Sequence, residues 1–362
     1  MRILYLVNHL NVGGISSYLL SLSSALLEQG NQVYIASSGG ELEEKFKTLG
    51  AQLIKISIRT KNEASPKILL SFLKLRGLIK KYQIQVVHSQ SRTTQVLGCL
   101  LGKYTKVKHI FTCHGFFNPK ISRRFFPCLP DKAIAISQPV AKHLIKDLNF
   151  PESKISLVTN GIEAQFFRSP RCKDEIRKSL GLKPGEIIGS VGRLSDVKGH
   201  AYLISAMPLI LRNFPQAQLL ISGEGKLYNH LFCQAKQLAI SDKVFFVRNC
   251  LPVADILTVL DLFVMPSLQE GLGLALMEAM SVGLAVVGTN VGGIKELIKD
   301  RQNGILVEPR NAQALADAIN QLLADSAGRQ RLGTQAEKFI RDNFALSKMA
   351  AQTLGVYQEC LK

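Results

Sequence analysis

Glu270 and Glu278 stand with seven residues between them in the run 265–287, MPSLQEGLGLALMEAMSVGLAVV. Gly271 and Gly273 flank the first carboxylate, in a loop where backbone N–H groups and a helix N-terminus converge, a place suited to hydroxyls and phosphate. Glu278 falls two turns along a helix among Met277, Ala279 and Met280. It must reach a polar ligand or pair with a cation, unless that helix face is solvated. Two cations form a second group. Arg193 and Lys198 lie five residues apart in the loop GRLSDVKG, after a strand and with glycine at both ends. A forked guanidinium and a compact ammonium so placed can converge on one anion. A solvated loop accounts for the charges but not for the glycines. His114 also follows a strand, at the carboxyl end where open α/β sheets bind ligands. Gly13 and Gly14 precede a helix whose first amides can face phosphate.

These side chains need a scaffold of strands and helices. Apolar runs at 3–7, 33–37, 51–56, 86–88, 108–112 and 133–136 read as buried strands with helices between most of them. Runs at 187–191, 219–222, 244–247, 262–265 and 285–287 repeat the pattern. Such alternation predicts an α/β chain built on parallel, doubly wound sheets. Leu274 to Met280 reads as helix, stopped by Gly283. Ser137 reads as the N-cap of QPVAKHLIKDL. The polar, basic segment 167–183 reads as a linker into a second domain.

At 362 residues the chain has room for about two domains. Its hydrophobic content of 46% and charged content of 20% are those of an ordinary globular chain. The cysteines at 99, 113, 128, 172, 233, 250 and 360 are scattered and never form C-x-x-C. That distribution points to a reducing compartment and away from a disulfide framework or a zinc site. No signal-peptide pattern or spanning segment is legible, so the cytoplasm is the expected location.

The net charge of +18 is uneven. Residues 1–165 carry 22 Lys and Arg against 9 Asp and Glu; the remainder carries 23 against 18. A basic first half suits an anionic partner there. The stretch Pro66–Tyr82 is an amphipathic helix with Lys67, Lys74 and Lys81 at heptad spacing; it can cover a sheet or meet an anionic membrane. The stretch 115–127, GFFNPKISRRFFP, interleaves Phe116, Phe117, Phe125 and Phe126 with Lys120, Arg123 and Arg124. Aromatics beside cations suit a lipid headgroup boundary, and also single-stranded nucleic acid. Without an accompanying nucleic-acid motif, the membrane surface is the preferred partner.

The pattern Glu-Gly-x-Gly-Leu-x-x-Met-Glu-Ala-Met-Ser-x-Gly resembles the donor-binding signature of the family 4 retaining glycosyltransferases. Other blocks similar to that family follow in order: the Gly13–Gly14 loop, Phe-Thr-Cys-His114-Gly, Asn160-Gly161-Ile162-Glu163, the Arg193–Lys198 loop, Gly223-Glu224-Gly225, Gly292–Gly293 and Gly304-Ile305-Leu306-Val307-Glu308-Pro309. The resemblance implies a GT-B fold of two Rossmann-like doubly wound domains facing a central cleft. It implies an acceptor-side domain at 1–165, a nucleotide-sugar domain at 166–345, and a last helix at 346–362 crossing back to the first.

By the same resemblance, Arg193 and Lys198 grip the donor diphosphate and Glu270 sits by the donor sugar. Glu278 holds the ribose hydroxyls, Gly271 and Leu272 offer amides beside Gly273, and His114 contacts the donor sugar or lies close to the reacting carbon. The Gly13–Gly14 loop faces the diphosphate. Arg248 stands where a glycine is usual beside the base, and Gln90 stands where a second histidine is common. His88 reads as structural.

The implied activity is retaining, hexosyl-type transfer from a nucleotide-sugar, first of all a UDP-sugar, to an acceptor hydroxyl. The acceptor is a glycan or lipid-linked glycan, as in lipopolysaccharide or other surface-glycan synthesis. No Asp-x-Asp occurs, so neither a divalent metal nor another cofactor is expected. The enzyme is expected in the cytoplasm, peripheral on the inner face of the plasma membrane. The rivals are a nucleotide-sugar epimerase or hydrolase of the same fold, and a basic nucleic-acid-binding protein.

Overall fold

Thirteen short strands pair in two sheets in a computed structural model that describes residues 1–60, 62–117, 128–248 and 251–362. The first sheet contains β1 (Arg2–Leu6), β2 (Gln32–Ser37), β3 (Gln52–Lys55), β4 (Val86–Ser89), β5 (Lys108–Cys113), β6 (Lys132–Ala135) and β7 (Ile155–Leu157). Their order is β3-β2-β1-β4-β5-β6-β7, every pair parallel. The second contains β8 (Ile187–Val191), β9 (Gln218–Ser222), β10 (Val244–Val247), β11 (Leu262–Met265), β12 (Val286–Thr289) and β13 (Ile305–Val307). Their order is β10-β9-β8-β11-β12-β13, also parallel throughout. Parallel strands are covered by helices on both faces, which is why they read as unbroken apolar runs. Ile3 to Leu6 and Leu262 to Val264 are fully buried accordingly.

The strand order turns over between β1 and β4 in one sheet and between β8 and β11 in the other. At such a point the following loops diverge and leave a crevice at the carboxyl ends of the strands. The loops leaving β1 and β8 carry Gly13–Gly14 and Arg193–Lys198. The loops leaving β4 and β11 carry Gln90 and Glu270. Topology therefore singles out the loops after β1, β8 and β11, which glycine and charge had already marked, and adds the loop after β4.

The chain divides into two units, 1–161 with 346–362, and 162–345. The first unit ends at Gly161, a little before the expected 165. The last helix, Leu346–Leu361, belongs to that unit. Its Tyr357 hydroxyl lies 2.6 Å from His88 Nδ1 and 3.0 Å from the Tyr5 hydroxyl. His88 Nε2 meets Thr112 Oγ1 at 2.7 Å. His88 is thus a buried fastener between the sheet and this helix.

Segment 167–183, expected as a linker, is folded into the second unit. It contains the helix Lys173–Ser179 and is tied down by acidic side chains. Arg171 and Ser169 meet the two carboxylate oxygens of Asp255 at 2.9 and 2.6 Å, and Lys173 meets Asp261 at 2.8 Å. Asp255 is buried and requires such partners, so its basic neighbours are not free linker charges.

Pro66–Tyr82 forms one helix, capped by Ser65 with Pro66 in its first turn. Ile68, Phe72, Leu75 and Ile79 pack into the core of the first sheet. Leu69, Leu70 and Leu73 remain 58–63% exposed on the other side. The helix covers the sheet and still presents leucines to solvent. Of the aromatic–basic stretch 115–127, residues 118–127 lie outside the described residues.

Candidate active site

In the second unit the site starts from a backbone fit. Gly199 ends the turn Asp196–Lys198 with φ +66, and a Cβ there would fall 2.0 Å from the Pro266 carbonyl oxygen. Only glycine lets the loop after β8 lie on the end of β11. The Leu268 N–H then donates to the Val197 carbonyl at 2.7 Å. This seam brings the Lys198 ammonium onto the Glu270 carboxylate, which also accepts from Ser267 Oγ at 3.3 Å. A second glycine fit closes the other side. Gly292 has φ +47, and a Cβ would sit 2.0 Å from the Glu270 carbonyl oxygen, to which the Gly293 N–H donates at 3.0 Å.

Arg193 is exposed in the same loop as Lys198 and has no hydrogen bond or ion pair among the described residues. The two cations therefore differ: Lys198 is held by Glu270, and Arg193 stays available for an anion. Gly271, Leu272 and Gly273 are buried at the start of the helix Leu274–Ser281.

Glu278 lies within that helix, between Leu276, Met277, Ala279 and Met280, all fully buried. It is itself 8% exposed, which eliminates a solvated helix face. Burial pushes its carboxyl up to about 7. No cation pairs with it among the described residues. Arg248, at the end of the edge strand β10, lays its guanidinium 4.8 Å from the centre of the Tyr228 ring. Tyr228 in turn packs on Phe232 and Phe246. Arg248 is thus part of a cation–aromatic cluster, separate in the sheet from the Lys198–Glu270 pair.

In the first unit, Gly13 and Gly14 open the helix Gly14–Glu28 and are both exposed. A Cβ at Gly13 would meet nothing within 4 Å, so the amide end of that helix is uncovered. The same helix supplies Tyr18, whose ring meets His114 edge to face at 4.7 Å. His114 Nε2 lies 2.7 Å from Gln90 Oε1, and burial pushes the imidazole down to about 3, so it is neutral. Sequence reasoning noted Gln90 only as a departure and passed over Ser267 and Tyr18. The available signal for Gln90 and Ser267 was position, since each closely follows a strand next to the switch point.

Comparison with known proteins places the chain in a family. Residues 12–166 match the model of Glycosyltransferase Family 4, and residues 172–339 match that of Glycosyl transferases group 1. The chain belongs to the family 4 glycosyltransferases. A glycosyltransferase of Methanocaldococcus jannaschii, MJ1607, is 27% identical over 376 residues, covering 96% of this chain and 94% of the relative. The UDP-Gal:alpha-D-GlcNAc-diphosphoundecaprenol alpha-1,3-galactosyltransferase of Escherichia coli is 29% identical over 274 residues, 70% of each chain. The fold matches that of HepE from Anabaena, solved with UDP and glucose, with a TM-score of 0.88 at 19% identity, covering 99% of this chain and 100% of HepE. Both sheets of this family 4 glycosyltransferase are accordingly those of the GT-B fold. Among its described residues no helix is long and apolar enough to cross a membrane.

Proposed function

We propose that this glycosyltransferase moves a hexosyl group from a UDP-sugar to an acceptor hydroxyl with retention of configuration and without a divalent ion. The observation that carries this reading is the Lys198–Glu270 contact beside an unpaired Arg193, at the switch point of the second sheet. Charge builds on the donor diphosphate as the glycosidic bond breaks. Arg193 and Lys198 stabilise it more in the transition state than in the ground state, which is the part of binding that accelerates a reaction. The two cations supply the charge that a bridging metal would otherwise bring. Glu270 accepts hydrogen bonds from the sugar, and Glu278, once ionised, accepts them from the ribose hydroxyls. In the first unit, neutral His114 is suited to a sugar hydroxyl and the uncovered amides at Gly13–Gly14 to a phosphate. The departing phosphate takes the acceptor proton in a same-face displacement.

A UDP donor is supported by the UDP in the HepE structure. A lipid-linked acceptor in surface-glycan or lipopolysaccharide synthesis is supported by the diphosphoundecaprenol substrate in the Escherichia coli relative's name. The exposed Leu69, Leu70 and Leu73, next to Lys67, Lys74 and Arg76, support peripheral attachment to an anionic membrane on its cytoplasmic side.

Thermal-shift measurement against UDP-, GDP- and ADP-sugars, followed by product mass, tests the reading. A UDP-sugar raises Tm and an acceptor gains one hexosyl mass. Donor consumption with no acceptor gaining mass would make the protein a hydrolase or epimerase instead.

A further inference from the structure

We propose that Gln90 is a positioning residue for His114. Its carboxamide oxygen takes the His114 Nε2 proton and leaves Nδ1 as a bare acceptor for a hydroxyl of the ligand, a role that rests on the transfer reading above.

Gln90 is fixed where it stands. Its backbone N–H lies 3.1 Å from the Leu6 carbonyl of β1 and 3.2 Å from Thr94 Oγ1, in the cap of the helix Arg92–Thr105. Its side chain is 1% exposed and reaches His114 Nε2 at 2.7 Å. A carboxamide oxygen can only accept, so the ring nitrogen facing it carries the proton. A neutral imidazole has one N–H, and His114 is neutral because burial holds it near 3. Nδ1 is then a lone pair. The Tyr18 ring, edge to face at 4.7 Å, holds the imidazole plane.

The far end of the same carboxamide points to the ligand as well. Gln90 Nε2 is buried and has no hydrogen-bond partner in the protein. Buried donors are almost always paired, so this one points to an acceptor that comes with the ligand. A histidine in this position would titrate and exchange donor for acceptor. Glutamine does not titrate, so its acceptor and donor ends are the same at every pH. The titratable groups around His114 are Tyr18 on the first helix, His88 on β4 and the adjacent Cys113. Tyr18 and Cys113 are pushed up to about 12 by burial and His88 is driven well below its ordinary value, so none changes charge near neutrality.

The test is ¹⁵N–¹H NMR of the His114 ring in the unliganded full chain, with no substrate required. The wild type should show the Nε2–H tautomer, and Gln90→Met should lose that preference. An Nδ1–H wild type overturns the proposal whether or not the chain transfers sugar. Gln90→Glu keeps the shape and is the second variant if Gln90→Met does not fold. Its carboxylate should raise the His114 titration by more than about one pH unit. Its kcat, measured with the UDP-sugar from the thermal-shift screen, should then fall about tenfold or more as pH drops through the new value, with donor KM nearly unchanged. A shifted titration with a pH-independent kcat would overturn the positioning role and leave the transfer reading resting on Arg193.

Discussion

Lys198 and Glu270, 72 positions apart in the chain, meet through ammonium and carboxylate at the ends of β8 and β11. Each is partly shielded, with side-chain exposures of 23% and 14%. The pair neutralises the Lys198 charge, whereas Arg193, in the same loop, stays exposed. On the proposed reading, a donor diphosphate would offer Lys198 a second acceptor, and Arg193 would bind it with no partner to give up.

Arg193→Ala should leave the fold untouched, because the side chain is exposed and unpaired, while kcat falls by about 10²–10³. Melting temperature and steady-state kinetics measured on one preparation check both halves. A folded variant with undiminished turnover removes Arg193 from the site.

Glu278 gives the unliganded protein a distinctive pH dependence. Its folded carboxyl sits at about 7, against about 4.3 in an unfolded chain. Between those values the folded state holds the proton and the unfolded state does not. Stability from this group is therefore complete below about 4.3 and lost as pH rises through 7, by about 3–4 kcal/mol. Glu278→Gln should abolish that slope and melt higher than wild type at pH 8, yet bind the donor more weakly. Melts from pH 4.5 to 8 decide it; parallel curves would mean that Glu278 is solvated or paired.

Gly292→Ala asks whether the backbone seam matters. The substitution places a methyl 2.0 Å from the Glu270 carbonyl oxygen at a positive φ. A loss of more than about 1 kcal/mol in denaturant unfolding, with reduced activity, is the expected outcome. A silent substitution would show that the Glu270 loop is not held by this contact.

Tyr357→Phe should destabilise the protein without affecting the donor. It strips a hydroxyl from buried His88 Nδ1 and from Tyr5, at a cost of about 1–3 kcal/mol. Chemical denaturation should register that loss while donor Kd is unchanged.

Replacing Leu69, Leu70 and Leu73 together by serine should cut flotation with anionic vesicles and leave the melting temperature close to wild type, since all three are exposed. Equal recovery of wild type with neutral and anionic vesicles at low salt would count against membrane attachment.

Much of this molecule was legible from one dimension. Apolar runs of four to six residues, too short for helices and spaced by helical segments, read as buried strands of parallel sheets, because burial on both faces removes the alternation seen elsewhere. Local glycine chemistry likewise marked the loops that carry Arg193, Lys198 and Glu270, since a chain that turns sharply after a strand leaves its signature in a few adjacent residues. The basic segment 167–183 misled, because the acidic partners that pin it, Asp255 and Asp261, lie more than 80 positions away.

What only tertiary structure decided is partnership and burial. Sequence grouped Arg193 with Lys198 by spacing; the fold adds that Lys198 meets Glu270 while Arg193 stays open. It turned Glu278 from an ambiguous helix residue into a shielded carboxyl, and set Gln90 against His114 across two adjacent strands. These are outcomes of strand order, which carries residues from distant parts of the chain to the same end of a sheet. The free energy of a buried charge depends on what surrounds it in space, and no local stretch of sequence contains that information.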